Sequence, residues 1–209
     1  MKTIVFGATG TIGALAVKNL LNEGHQVTAF ARKPEKLAIS HPQLTLVSGD
    51  ALNEKDVARA IEGHDAVIVT LGAGMSRKSM VRSEGTMNVI HGMQKHGVSR
   101  LICQSTLGAH ESWDNLNFFW KRIMFGALLR PVFKDHELQE QLVRASGLDW
   151  TIVRPGAFAD GPATGAYKEA FGPSERNLSL KIARADIAAF LARQLKDLRY
   201  ARRAVAISN

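Results

Sequence analysis

The chain has 209 residues, 45% hydrophobic and 22% charged, with a formal net charge of +8. This size suits one α/β domain with a sizeable core, and the balance excludes extended disorder. No run reaches the roughly 18 continuous apolar residues of a membrane helix, and the lone Cys103 excludes an intrachain disulfide.

Along the chain, Lys2–Phe6 reads as a buried strand, followed by Gly7, Gly10 and Gly13 and an amphipathic helix to Leu21. Gln26–Ala31 reads as a second strand and Leu44–Val47 as a third, with a short helix over about 53–62. Asp65–Leu71 is a fourth strand, closed by Gly72, Ala73 and Gly74, and a helix follows over about 79–96. Arg100–Gln104 is a fifth strand. Later come a helix at about 134–146, a strand at Trp150–Val153, a helix near 185–196 and a last strand at Ala204–Ile207. Such alternation implies a doubly wound, mostly parallel α/β sheet with helices on both faces, built as one domain over 1–209. Ligands of such sheets sit beyond the C-terminal strand ends, so candidate residues are sought there.

The strand–glycine–helix start is the arrangement that holds a dinucleotide pyrophosphate. Gly7 permits the turn, Gly10 lets backbone approach phosphate, and Gly13 lets the helix pack closely on the strand. Thr9, Thr11 and Ile12 complete the turn, and the helix N-terminus offers unpaired N–H groups to the phosphates. The spacing is GxxGxxG, not GxGxxG. At the end of the second strand stand Arg32 and Lys33, with no carboxylate before Glu35. A carboxylate there would favour NAD, whereas a guanidinium grips a 2′-phosphate, so NADP(H) is expected over NAD(H); the competing reading is a solvated surface pair. Asp50, with Ala51, is a candidate for the adenine and equally for a turn or helix cap. Leu71 and Gly72 are candidates for the ribose and pyrophosphate, or simply turn the chain.

With these residues placed, the chain resembles the atypical short-chain dehydrogenase/reductase superfamily, a Rossmann-fold group. Within it, the likeness is to the NAD(P)H-binding group of biliverdin reductase B (flavin reductase) and NmrA-like proteins. It is carried by GATGTIG at 7–13, Arg32, Gly49-Asp50, DAVIVTLG at 65–72 and SEGTMNVIHGMQKHGVSRLI at 83–102. Ser105, DHELQEQLVRASGLDWTIVRPG at 135–156, TGAY at 164–167 and ARADIAAFLARQL at 183–195 extend it over nearly the whole chain. The resemblance implies that Ser105 is an active-site serine and that Pro155 and Gly156 shape the nicotinamide wall. Ser105 could instead satisfy a loop backbone, and Pro155 could merely end its strand.

Two departures matter. The Tyr-x-x-x-Lys pair of typical members falls on Val132 and His136, and neither Tyr167 nor Tyr200 has a lysine four residues on. Tyrosine-dependent alcohol oxidation is therefore not expected. Ala157 follows Pro155-Gly156 where biliverdin and flavin reductases carry a histidine, which puts biliverdin specificity in doubt.

A flavin-like, quinone-like or other planar conjugated acceptor takes hydride without a dedicated acid, so NADPH-dependent reduction of such an acceptor is expected. An NADP(H)-sensing regulatory or assembly role without turnover is the alternative. His110 and His136 are candidate proton donors, with exposed or capping histidine as the plainer reading. The aromatic and basic segment 113–133 leaves three readings open. They are a lid over the acceptor, ordinary packing or a subunit contact, and, least favoured, binding to a membrane surface.

No Cys/His cluster has zinc spacing, so no metal is expected, and Cys103 reads as a small core residue. The positive field steers anionic ligands. No helix-turn-helix, zinc-finger or aromatic RNA-binding pattern accompanies it, so nucleic acid is not an expected partner. The start of the chain reads as a strand and not as a leader, so a cytoplasmic monomer or weak homo-oligomer is expected.

Overall fold

The computed structural model describes residues 1–73, 76 and 79–209; Gly74, read above as part of a turn, lies outside the described residues. Apolar, β-branched runs bounded by turn residues form β1 (Lys2–Phe6), β2 (Gln26–Ala31), β3 (Leu44–Ser48) and β4 (Ala66–Val69). They continue as β5 (Arg100–Gln104) and β6 (Asp149–Pro155). Three short strands that sequence patterning missed follow: β7 (Ala157–Ala159), β8 (Lys168–Glu169) and β9 (Lys181–Ala183). The last strand is β10 (Arg203–Ser208). The helices are α1 (Thr11–Asn22), α2 (Glu54–Ile61), α3 (Val81–His96), α4 (Arg130–Ala145) and α5 (Arg184–Arg193).

The main sheet has the order β3-β2-β1-β4-β5-β6-β10-β8, parallel except for β8, which runs antiparallel on β10. The order reverses between β1 and β4, and that reversal opens a crevice at the C-terminal strand ends. Alternation along β1 shows why both faces are covered. Val5 belongs to the core under α1 and α5, while Ile4 and Phe6 belong to the core under α2, α3 and α4. Each such side chain, fully buried, contributes about 1.5–3 kcal/mol. Among the described residues, no helix is long and apolar enough to cross a membrane.

Helix α4 carries few apolar residues on its buried side and is fixed by polar bonds instead. Asp135 accepts from the N–H of Ser83 at 3.0 Å and from its hydroxyl at 2.6 Å, and Gln139 donates to Thr86 at 3.0 Å. Both partners lie on α3. Residues Phe119–Leu128 wind as a π-helix, and Leu107, Leu116, Phe125, Phe133 and Leu180 form a third, smaller core beneath it.

Candidate functional site

A cavity of about 910 Å³ runs along the C-terminal ends of the central strands. At one end lies the glycine turn. Gly7 has φ +83°, and a Cβ there would meet the Thr70 carbonyl oxygen at 2.5 Å, so only glycine fits. A Cβ at Gly13 would stand 2.2 Å from the Gly7 carbonyl oxygen, so this residue serves close packing of α1 and does not itself line the cavity. Gly7, Thr9, Gly10, Thr11 and Ile12 do line it. Gly10 gives α1 no side-chain cap, so the first amides of the helix keep their hydrogen-bonding capacity for a ligand.

The neighbouring wall holds Arg32, Asp50, Ala51, Leu71 and Gly72. Lys33 does not reach it and instead leads into the 3-10 turn Pro34–Lys36. Asp50 keeps its turn role as well, since its Oδ1 accepts from the Leu52 N–H at 3.0 Å. Arg82, with no sequence signal beyond its place at the start of a helix, joins the wall and pairs with Asp135 at 3.5 Å.

The far end is formed by Gln104, Thr106, Leu107, Pro155, Gly156 and Phe158. Extended chain alternates its sides, so Gln104 and Thr106 face the cavity while Ser105 between them does not. Ser105 is buried, and its Oγ donates to Glu140 Oε1 at 2.6 Å. In this arrangement the Ser105 hydroxyl is engaged by Glu140 and does not line the cavity. Glu140 in turn receives Arg154 Nε at 2.9 Å and Nη2 at 2.6 Å, a buried bidentate pair. Arg154 Nη2 also reaches Glu111 at 2.8 Å. Burial raises the Glu111 carboxyl, but the Arg154 bond and the Arg144 charge outweigh it and hold the group down at about 2.

His110 likewise stands apart from the cavity. It has a strained backbone conformation (φ +46°), with Nε2 3.3 Å from the Glu137 carbonyl oxygen and 4.0 Å from Glu140. His136 does line the cavity, as does Val132 one turn before it on α4. Burial, reinforced by the Arg82 charge, pushes the His136 imidazole down to about 3. Its Nδ1 sits 3.2 Å from Gln139 Oε1, an acceptor because the same amide donates to Thr86, so the ring proton is assigned to Nδ1. At neutral pH His136 is uncharged and has no imidazolium proton to give.

The roof comes from the π-helix. Its i→i+5 bonding, as in Leu129 N–H to the Met124 carbonyl oxygen at 2.6 Å, puts residues four to five apart on one face. Trp120, Phe125 and Leu129 follow that spacing and line the cavity, joined by Leu116 from the extended backbone before the helix. Trp120 and Phe125 lie 5.4 Å apart, and Phe125 stacks on Phe133 at 4.6 Å. The segment therefore lines the cavity and packs on the small core at once.

A family profile described as NAD(P)H-binding matches residues 7–198. The chain belongs to this NAD(P)H-binding family. The protein is 30% identical over 183 residues to YhfK of Bacillus subtilis strain 168, named an uncharacterized sugar epimerase, covering 81% of this chain and 78% of that one. It is 39% identical over 113 residues to a 3-beta-hydroxysteroid dehydrogenase of Mycolicibacterium neoaurum. That match covers 48% of this chain but 31% of that longer relative. Among solved structures, ChuY, an anaerobillin reductase from Escherichia coli O157:H7, has a TM-score of 0.80 at 27% identity, covering 99% of this chain and 96% of that one. The NAD(P)H-binding protein is thus an atypical short-chain dehydrogenase/reductase of the NmrA-like kind.

Its residues fit a dinucleotide. The uncapped start of α1 and the glycine cradle offer backbone to a pyrophosphate. Gln104 Oε1 is buried in the cavity wall without a hydrogen-bond partner among the described residues, and a bound polar group would satisfy it.

Proposed function

We propose that the protein is an NADPH-dependent reductase that passes hydride to a flat conjugated acceptor, flavin-like or quinone-like, held beneath the Phe119–Leu128 roof. One observation carries this reading: a single cavity joins the anion-binding glycine turn and Arg32 to the aromatic wall of Trp120 and Phe125. Gly7, Thr9, Gly10, Thr11 and Ile12 would hold the pyrophosphate, Gly13 keeping the turn in place. Arg32 would grip the 2′-phosphate and Lys33 would add a more distant charge, which favours NADP(H) over NAD(H). Asp50, Ala51, Leu71 and Gly72 would border the adenosine, and Pro155 and Gly156 the nicotinamide end. When bound, the cofactor supplies hydride.

The remaining chemistry falls to the chain. Trp120 and Phe125 stack and orient a planar acceptor, and the roof excludes bulk water from the reacting face. Gln104 and Thr106 supply polar contacts. With Val132 lacking a hydroxyl and His136 neutral, the proton that accompanies reduction comes from water, which a delocalised acceptor tolerates and a simple ketone does not. Ser105 and Glu140 act as supports of the wall. In this reading the protein works in the cytoplasm as a monomer or weak homo-oligomer.

The same absence of a proton donor favours a second reading, an NADP(H)-sensing regulatory or assembly protein without turnover. Steady-state NADPH oxidation with FMN, a quinone and a dichlorophenolindophenol-type dye separates the two. Acceptor-dependent oxidation is expected; folded, NADPH-binding protein that turns over none of the three would replace the reductase by the sensor.

A further inference from the structure

The π-helical roof is apolar on two faces. While Trp120, Phe125 and Leu129 point into the cavity, Phe119, Ile123 and Leu128, again four and five apart, point outward and are exposed to 49%, 43% and 46%. Phe118 beside them is 74% exposed. Among the described residues, four of the twelve exposed large hydrophobic side chains fall between 118 and 128; the others lie elsewhere along the chain. Isolated exposed apolar residues need no explanation, but a clustered face does.

Cations border this face. Lys121 and Arg122 interrupt it, and a second cavity of about 630 Å³ beside it is lined by Lys121, Arg122, Arg130 and Lys134, with Trp113 and Glu137. Two carboxylates answer these four cations: Asp114 lies 3.8 Å from Lys121, and Glu137 lines the same cavity. Exposed Phe, Ile and Leu interleaved with Lys and Arg on a short helix are the composition that rests in a headgroup region. A twofold contact between two copies would set this net-positive face against itself, which charge repulsion opposes.

We propose that the outward face of Phe119–Leu128, with Phe118, docks on an anionic phospholipid surface, the Lys121–Arg122–Arg130–Lys134 pocket receiving headgroup phosphate. The roof then becomes the side of the protein that meets the bilayer. This goes beyond the reductase reading, because docking requires neither cofactor nor turnover.

The test is flotation of the full chain, without cofactor, with phosphatidylcholine vesicles and with equimolar phosphatidylcholine and phosphatidylglycerol vesicles. Binding is expected to the second and not the first, weakening as salt rises, and inorganic phosphate is expected to displace it no more than sodium chloride of the same ionic strength. Lys121→Gln with Arg122→Gln should lower partition roughly thirtyfold. Phe118→Ser with Phe119→Ser and Ile123→Ser should lower it roughly tenfold or more. An unchanged NADPH titration shows that each variant is folded. No partition, equal partition into both vesicles, or displacement by phosphate beyond that caused by sodium chloride of the same ionic strength would overturn the proposal. So would a dimer in sedimentation equilibrium that the serine substitutions dissociate, which would assign the face to a second copy. Retention on soluble polyglutamate that survives the serine substitutions would assign the cations to an acidic polypeptide and overturn it as well.

Discussion

Ser105 Oγ donates a 2.6 Å hydrogen bond to Glu140 Oε1, and that carboxylate is fully buried against Arg154. The serine therefore helps to satisfy a buried charge behind the cavity wall. Removing one partner of such a bond leaves the carboxylate short of a donor, which costs about 1–3 kcal/mol. Ser105→Ala should lower stability by that order in urea denaturation while acceptor kcat/KM stays within roughly twofold, because the hydroxyl does not face the cavity.

His136 sets a pH dependence of stability. Its folded pKa lies at about 3, below the ordinary histidine value of 6.5, so the folded state binds fewer protons than the unfolded chain between these limits. The stabilisation is present above pH ~6.5 and is lost as pH falls towards about 3. The slope from this one group is at most about 1.4 kcal/mol per pH unit. Urea midpoints measured from pH 7 down to pH 5 should fall, and His136→Asn should flatten that part of the profile.

Arg32 tests cofactor choice. Arg32→Asp removes a cation for a 2′-phosphate and installs a carboxylate that repels it. NADPH affinity should fall roughly a hundredfold or more while NADH affinity changes by less than about threefold. Fluorescence titration with both nucleotides measures this, and equal losses would contradict the assignment.

Trp120 tests the roof. It is half-buried, so Trp120→Ala should fold, yet it removes a stacking surface from the cavity. Acceptor KM should rise roughly tenfold with NADPH affinity unchanged. An unchanged KM for all acceptors would show that the roof does not touch them.

Much of the fold is legible in the sequence because buried parallel strands write themselves as apolar runs closed by glycine or a polar turn. Lys2–Phe6, Gln26–Ala31 and Arg100–Gln104 coincide with the observed strands. The short strands β7 and β9 stayed hidden because three-residue pairings across a long loop leave no periodicity. The two-faced roof stayed hidden because a helix wound i→i+5 sorts its side chains differently from one with 3.6 residues per turn. In the site, the glycine turn, Arg32, Asp50, Leu71, Gly72 and Pro155 border one cavity at the strand ends. Ser105 stands apart from them, because the alternation of the extended chain turns its hydroxyl towards Glu140, a direction the resemblance does not encode. Arg82 and Gln104 carried no signal, their place in the wall being a product of tertiary packing.

The most direct test of the single-cavity reductase is anaerobic stopped-flow mixing of NADPH-loaded protein with FMN or a quinone. Direct hydride transfer predicts loss of one NADPH per acceptor reduced, at a rate that saturates with acceptor, with saturation weakened in Trp120→Ala. NADPH-loaded, folded protein that leaves its NADPH unoxidised under these conditions would contradict it.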